Sequence, residues 1–178
     1  MRGDDPRSLI DFFETATFDN VWYWIITVIA WSATCHWTLG VPYDAIVRAD
    51  QKGGQPAAHV EALGQASIAR LTAVMRSAGV FIAAGAGFGA ACVVTLGFWT
   101  GIEMAKGIAL LLLPLMLVAT LNTRLAFRLE KTPLSGAAFR RALTRQRFWN
   151  QVIGLAAVTV AAAVAAVHIV REKLAGFG

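Results

Sequence analysis

AGVFIAAGAGFGAACVVTLGFW, residues 78–99, contains no charged residue. Within it, Gly85-Ala86-Gly87-Phe88-Gly89-Ala90 matches G-x-G-x-x-A, the glycine fingerprint of dinucleotide-binding turns. The fingerprint and the stretch around it demand different folds. The fingerprint works only where a strand gives way to a helix N-terminus, so that backbone amides meet the pyrophosphate. An uninterrupted apolar run of about 20 residues is what one helix needs to cross the hydrocarbon core of a bilayer. Nothing breaks the run, and no strand alternation competes with the helical reading. The glycines are therefore mid-helix residues, and Gly85 and Gly89 form a small-xxx-small step for close helix packing.

The same pattern recurs at 21–41 (VWYWIITVIAWSATCHWTLGV), 107–127 (GIALLLLPLMLVATLNTRLAF) and 149–170 (WNQVIGLAAVTVAAAVAAVHIV). Hydrophobic residues make up 57 % of the 178-residue chain and charged residues 15 %, against roughly a quarter charged in soluble domains. The expectation is an all-α, polytopic membrane protein, a single membrane domain over 1–178. It has four transmembrane helices, at 21–41, 78–99, 107–127 and 149–170.

The connections at 42–77 and 128–148 should carry helix extensions, since no breaker separates 59–77 from the second span. QKGGQPAA, 51–58, reads as a flexible linker. The segment 132–149 should start a helix at Thr132 or Ser135 and run into the fourth span. Residues 1–20 form an outer-surface segment. Within it SLIDFFETATF, 8–18, places Leu9, Phe12, Phe13 and Ala16 on one face of a short interfacial helix. These residues carry five acids and lack a signal-peptide pattern, so no cleavable leader is expected.

Lysine and arginine in short loops stay cytoplasmic. Eleven of the 16 fall in the 42–77 connection, at Arg124 near the end of the third span and in the stretch after it, and five on the other side. Both termini are therefore expected in the periplasm of a bacterial inner membrane. The net charge of +5 follows from this asymmetry and does not call for a nucleic-acid partner. Arg140, Arg141, Arg145 and Arg147 are candidates for contact with anionic lipids or with a partner's acidic face.

Candidate chemistry is sparse. Cys35 and His36 stand side by side, yet at about 1.5 Å per residue His36 lies ~20 Å deeper than His168, too far to share a metal or haem. Cys92 sits ~10 Å from the level of Cys35, beyond disulfide reach. No metal site is expected. His36 is read as part of a polar cluster with Asn122, Arg124, Asn150 and Gln151, whose interhelical hydrogen bonds hold the bundle. The alternative makes His36 the axial ligand of a tetrapyrrole lying between this chain and another. The four core segments contain no Asp or Glu, and Arg124 is their only charge. Carboxylate-driven transport and catalysis are thus disfavoured. For the packing step at Gly85 and Gly89, the fourth span offers a matching surface in Ala157, Ala161 and Ala165.

DNVWYWI (19–25), HWTLGVPYD (36–44) and QVIG (151–154) resemble segments of small four-helix inner-membrane proteins, found chiefly in alphaproteobacteria and often labelled "component of SufBCD complex". The resemblance covers most of the chain. It implies an inner-membrane protein of undefined biochemistry with a link to iron–sulfur cluster assembly. From the residues, the leading expectation is a non-enzymatic accessory, scaffolding or assembly subunit of a larger inner-membrane complex, respiratory or photosynthetic. Its partners would be other integral membrane subunits and anionic lipids, with bound lipid expected. The rivals are a small channel or carrier, and a membrane partner of iron–sulfur assembly.

Overall fold

A computed structural model describes residues 21–175. The interfacial helix expected at 8–18 lies outside them. Among the described residues there are five α-helices and one two-stranded hairpin. Helix α1 is Val21–His36, and strands β1 (Trp37–Thr38) and β2 (Val41–Pro42) follow it. Then come α2 (Tyr43–Lys52), α3 (Gly54–Val94) with a π-helical turn at Thr95–Trp99, α4 (Glu103–Lys131) and α5 (Gly136–Ala175). Residues 54–99, 103–131 and 136–171 each hold a helix long and apolar enough to cross a membrane. The described residues are all-helical apart from the hairpin, and the protein is membrane-embedded. The described part of α1 is equally apolar but only 16 residues long.

The first expected span, 21–41, is corrected. Its helix stops at His36, because Leu39 and Gly40 both take positive φ, 48° and 73°. That pair forms a two-residue mirror-image turn whose twist suits a hairpin. Thr38 pairs with Val41 and Trp37 with Pro42. The Leu39 side chain is buried in the core, which offsets the cost of a positive φ in a residue with a Cβ.

The flexible linker at 51–58 is also corrected. Gly53, at φ 59°, reverses the chain while its amide donates to the Ala49 carbonyl at 3.0 Å. Helix α3 begins at the next residue. Pro56 falls in its first turn, where the missing N–H has no partner to lose. From there α3 runs 41 residues without a break, a rod of ~60 Å. Helix α5 likewise extends 40 residues from Gly136, immediately after Ser135, one of the two expected starts, whose carbonyl accepts from the Phe139 amide. The Gly136 amide donates to the Glu61 carboxylate of α3 at 3.0 Å. An acid at a helix N-terminus satisfies an orphan donor and complements the dipole. Pro114 sits inside α4 without ending it.

Helix α5 packs between α1 and α4, and α4 packs between α5 and α3. The spatial order is α1–α5–α4–α3, with the two ends of the row little in contact. The largest core lies at the basic end, around Val41, Ile46, Val60, Phe139 and Leu143, all nearly sealed from solvent. Gly64 of α3 lets the Phe139 ring lie directly on its backbone, where a Cβ would collide with the ring. A smaller cluster, Trp31, Val118 and Ala157, lies within the apolar lengths. This division follows from solvent. Water drives apolar side chains together at the polar end, whereas lipid tails are as apolar as leucine and supply no such force.

Candidate functional site

At the junction of α1 with the hairpin, the structure gathers several of the polar residues singled out above, in arrangements of its own. His36 ends α1, and its Nε2 lies 3.3 Å from Oδ1 of Asp44 on α2. Both side chains are about half exposed or more, at 48 % and 65 %, and the imidazole meets Trp37 edge to face. Among the described residues His36 therefore joins Asp44 and not Asn122. The expected pairing assumed a helix continuing to residue 41, and the hairpin turns the chain away before that. Axial ligation through Nε2 would require giving up the Asp44 contact.

Arg147 of α5 holds the neighbouring residue. Its Nε donates to the Cys35 carbonyl at 2.9 Å, and its guanidinium sits 3.3 Å above the Tyr43 ring. A cation at the last carbonyls of a helix satisfies an orphan acceptor and complements the negative end of the dipole. Arg140, one of the other expected lipid contacts, pairs with Asp50 of α2 and keeps only 15 % of its side chain exposed. Two of the four arginines are thus internal clasps between α5 and the α1–α2 region. Arg141 and Arg145 face outward.

The polar cluster divides in the same way. Asn150 of α5 is fully buried, and its Oδ1 accepts from Gln146 at 3.1 Å while Nδ2 meets no acceptor. Asn122 of α4 has a buried Oδ1 with no donor. It lines an open apolar cavity of about 400 Å³ between α1 and α4, with Ala33, Thr34, Trp37 and Val118. Arg124 and Gln151 are exposed and stand apart from both asparagines' buried atoms.

The packing residues divide as well. Ala157, Ala161 and Ala165 are buried in the chain, at 9 %, 2 % and 4 % exposure. Gly85 and Gly89 are not packed against them. Among the described residues a Cβ at either position would meet nothing within 4 Å, no residue in the most apolar window of 54–99 is buried, and Phe81 and Phe88 stand exposed beside them. Instead Gly154 of α5 makes the close approach. An added Cβ there would lie 2.6 Å from the Trp31 ring.

Several further contacts have no local signal in the sequence. Glu103, at the start of α4, is 9 % exposed and lies 3.4 Å from Nε2 of His168 near the end of α5. Glu130 of α4 accepts from buried Thr72 at 3.0 Å and from Arg76 at 2.8 Å, both on α3. These pairs join residues far apart in the chain, and only the helix order makes them neighbours. Beside α3, a second cavity of about 610 Å³ opens at the hairpin tip, lined by Gly40, Ser67 and Arg70 with apolar neighbours. Cys35 and Cys92 are free thiols. Among the described residues no group of three His, Cys, Asp or Glu is placed to hold a metal ion. No model of a known protein family, no curated protein and no solved structure matches the chain.

Proposed function

We propose that the chain is a non-enzymatic accessory, scaffolding or assembly subunit of a larger bacterial inner-membrane complex, docking through the apolar half of α3. In this reading α1 is the fourth membrane-spanning helix, both termini are periplasmic, and the arginine-rich end faces the cytoplasm, as the distribution of basic residues favours. The observation that carries the proposal is the open face at Gly85 and Gly89, against which none of the described residues packs. Glycine inside a helix costs roughly 0.5–1 kcal/mol relative to alanine. It is useful in a membrane where another helix backbone comes close. The occupant that fits is a transmembrane helix of another subunit. The resemblance to small alphaproteobacterial membrane proteins agrees with this. A role in iron–sulfur assembly finds less support, since Cys35 and Cys92 are half-buried on separate helices.

Extraction in a mild detergent tests the reading. The expected result is one stoichiometric assembly containing other integral membrane proteins. Gly85→Leu should strip those partners while leaving the thermal unfolding of the isolated chain unchanged, because a Cβ there meets none of the described residues within 4 Å. A discrete homo-oligomer, unaffected by Gly85→Leu, would favour a channel or carrier instead.

A further inference from the structure

The cavity at the hairpin tip has features that the helical packing does not require. Arg70 lines it from α3 with an exposed guanidinium, and among the described residues no carboxylate pairs with it. Ser67, one turn earlier on the same helix, brings its hydroxyl against Gly40 in the hairpin turn. The remaining wall is apolar, including Leu63, Leu71 and Val74, and no acidic residue lines the space. Arg76, two turns above, is the last charge before the apolar run of α3. Arg70 is six residues below it, ~9 Å along the axis. That places its backbone just on the water side of a headgroup layer about 5–8 Å thick, and its long side chain can reach back toward that layer. A cation and a hydroxyl at the water-facing edge of the headgroups, with an apolar wall leading inward, match the junction of a phospholipid, phosphate below and acyl chain above.

The neighbouring basic residues sharpen the contrast. Arg76, Arg140 and Arg147 are each held by a carboxylate, a carbonyl or a ring of the chain itself. Arg70 is held by none of these, yet it stands at an open cavity of about 610 Å³, within the size range of small-molecule sites. We propose that this cavity binds the headgroup of an anionic phospholipid, with Arg70 and Ser67 contacting the phosphate and the apolar wall of α3 guiding the first part of an acyl chain. The site is separate from Arg141 and Arg145. It rests on the reading of the basic end as a headgroup-facing surface, and stands whether or not the chain is a subunit of a larger assembly.

The test uses the purified full chain in detergent micelles, with its thermal unfolding followed during titration with phosphatidylglycerol, phosphatidylcholine or inorganic phosphate. Phosphatidylglycerol should raise the midpoint saturably, and the other two should not. Arg70→Gln should weaken the apparent affinity roughly tenfold or more, the loss of one charged hydrogen bond. Arg70→Lys should recover part of it, and Arg141→Gln and Arg145→Gln should respond like the parent. Arg70→Gln should unfold at the parent midpoint in phosphatidylcholine. If it does not, Val74→Trp, which fills the cavity and leaves the arginine, must produce the same loss. The proposal is overturned if phosphatidylglycerol has no effect, if phosphate alone matches it, or if neither variant weakens the response. Loss at Arg141 or Arg145 with retention at Arg70 would equally overturn it.

Discussion

Arg147 shows how much a single side chain does at the residue scale. Its planar fork places Nε on the Cys35 carbonyl while the same guanidinium covers Tyr43. Lysine can keep the charge but not both contacts. Arg147→Lys should therefore destabilise by about 1–2 kcal/mol, a charged hydrogen bond and a cation–π contact discounted for partial exposure. Chemical or thermal unfolding in detergent reads this directly. His36→Gln should change stability by no more than about 0.5 kcal/mol, since its Asp44 partner is well solvated. Gly154 is the sharper case. A methyl group there would press on the Trp31 ring at 2.6 Å, and overpacking of this kind costs about 1–3 kcal/mol. The cost of Gly154→Ala should shrink in a Trp31→Leu background, because the two changes share one contact. An unaltered cost in that background would show that the ring is not the obstacle.

At the scale of elements, the turn joining α3 to α4 depends on backbone touching backbone. A Cβ at Gly97 would lie 2.8 Å from the Lys106 amide nitrogen and 3.0 Å from the Ala105 carbonyl carbon. Neither can rotate aside, so Gly97→Ala should cost about 3 kcal/mol, toward the upper end for overpacking, and lower the unfolding midpoint more than Gly154→Ala. The helices themselves were legible in the sequence. Charge-free runs and the lack of breakers mark the lengths of α3, α4 and α5 well, including the extensions beyond the apolar runs. What stayed hidden has physical reasons. A span that is apolar all round carries no periodicity to say which face meets which neighbour, so Gly154 looked no different from Gly85. A shared depth does not give direction around a helix, and the turn that carries His36 to Asp44 starts with a leucine, which is no turn signal. Arg140 and Asp50 stand 90 residues apart in the chain, and no local pattern announces such a pair.

For the whole molecule, the arrangement of charge predicts its orientation. Reporters active only in the cytoplasm should work when inserted in the 42–77 or 128–148 connections and fail at either terminus. Activity at a terminus would reverse the assignment of sides. The open row of helices also means that stability and docking are separable. The main core lies at the basic end, so changes on the exposed half of α3 should alter partnership before they alter folding.

The position of α5 between α1 and α4 bears on how the protein is made. The first helix is synthesised long before the last, and Arg147 reaches Cys35 across 112 residues of chain. At typical elongation of 5–20 residues per second, α1 waits roughly 6–20 s for the neighbour it packs on. Throughout that interval its Trp31 has no glycine to rest against and its last carbonyls no arginine. Maturation is therefore ordered in time, with the newest segment sliding in to join the two older ones, and the first helix left dependent on lipid or on a chaperone until it arrives.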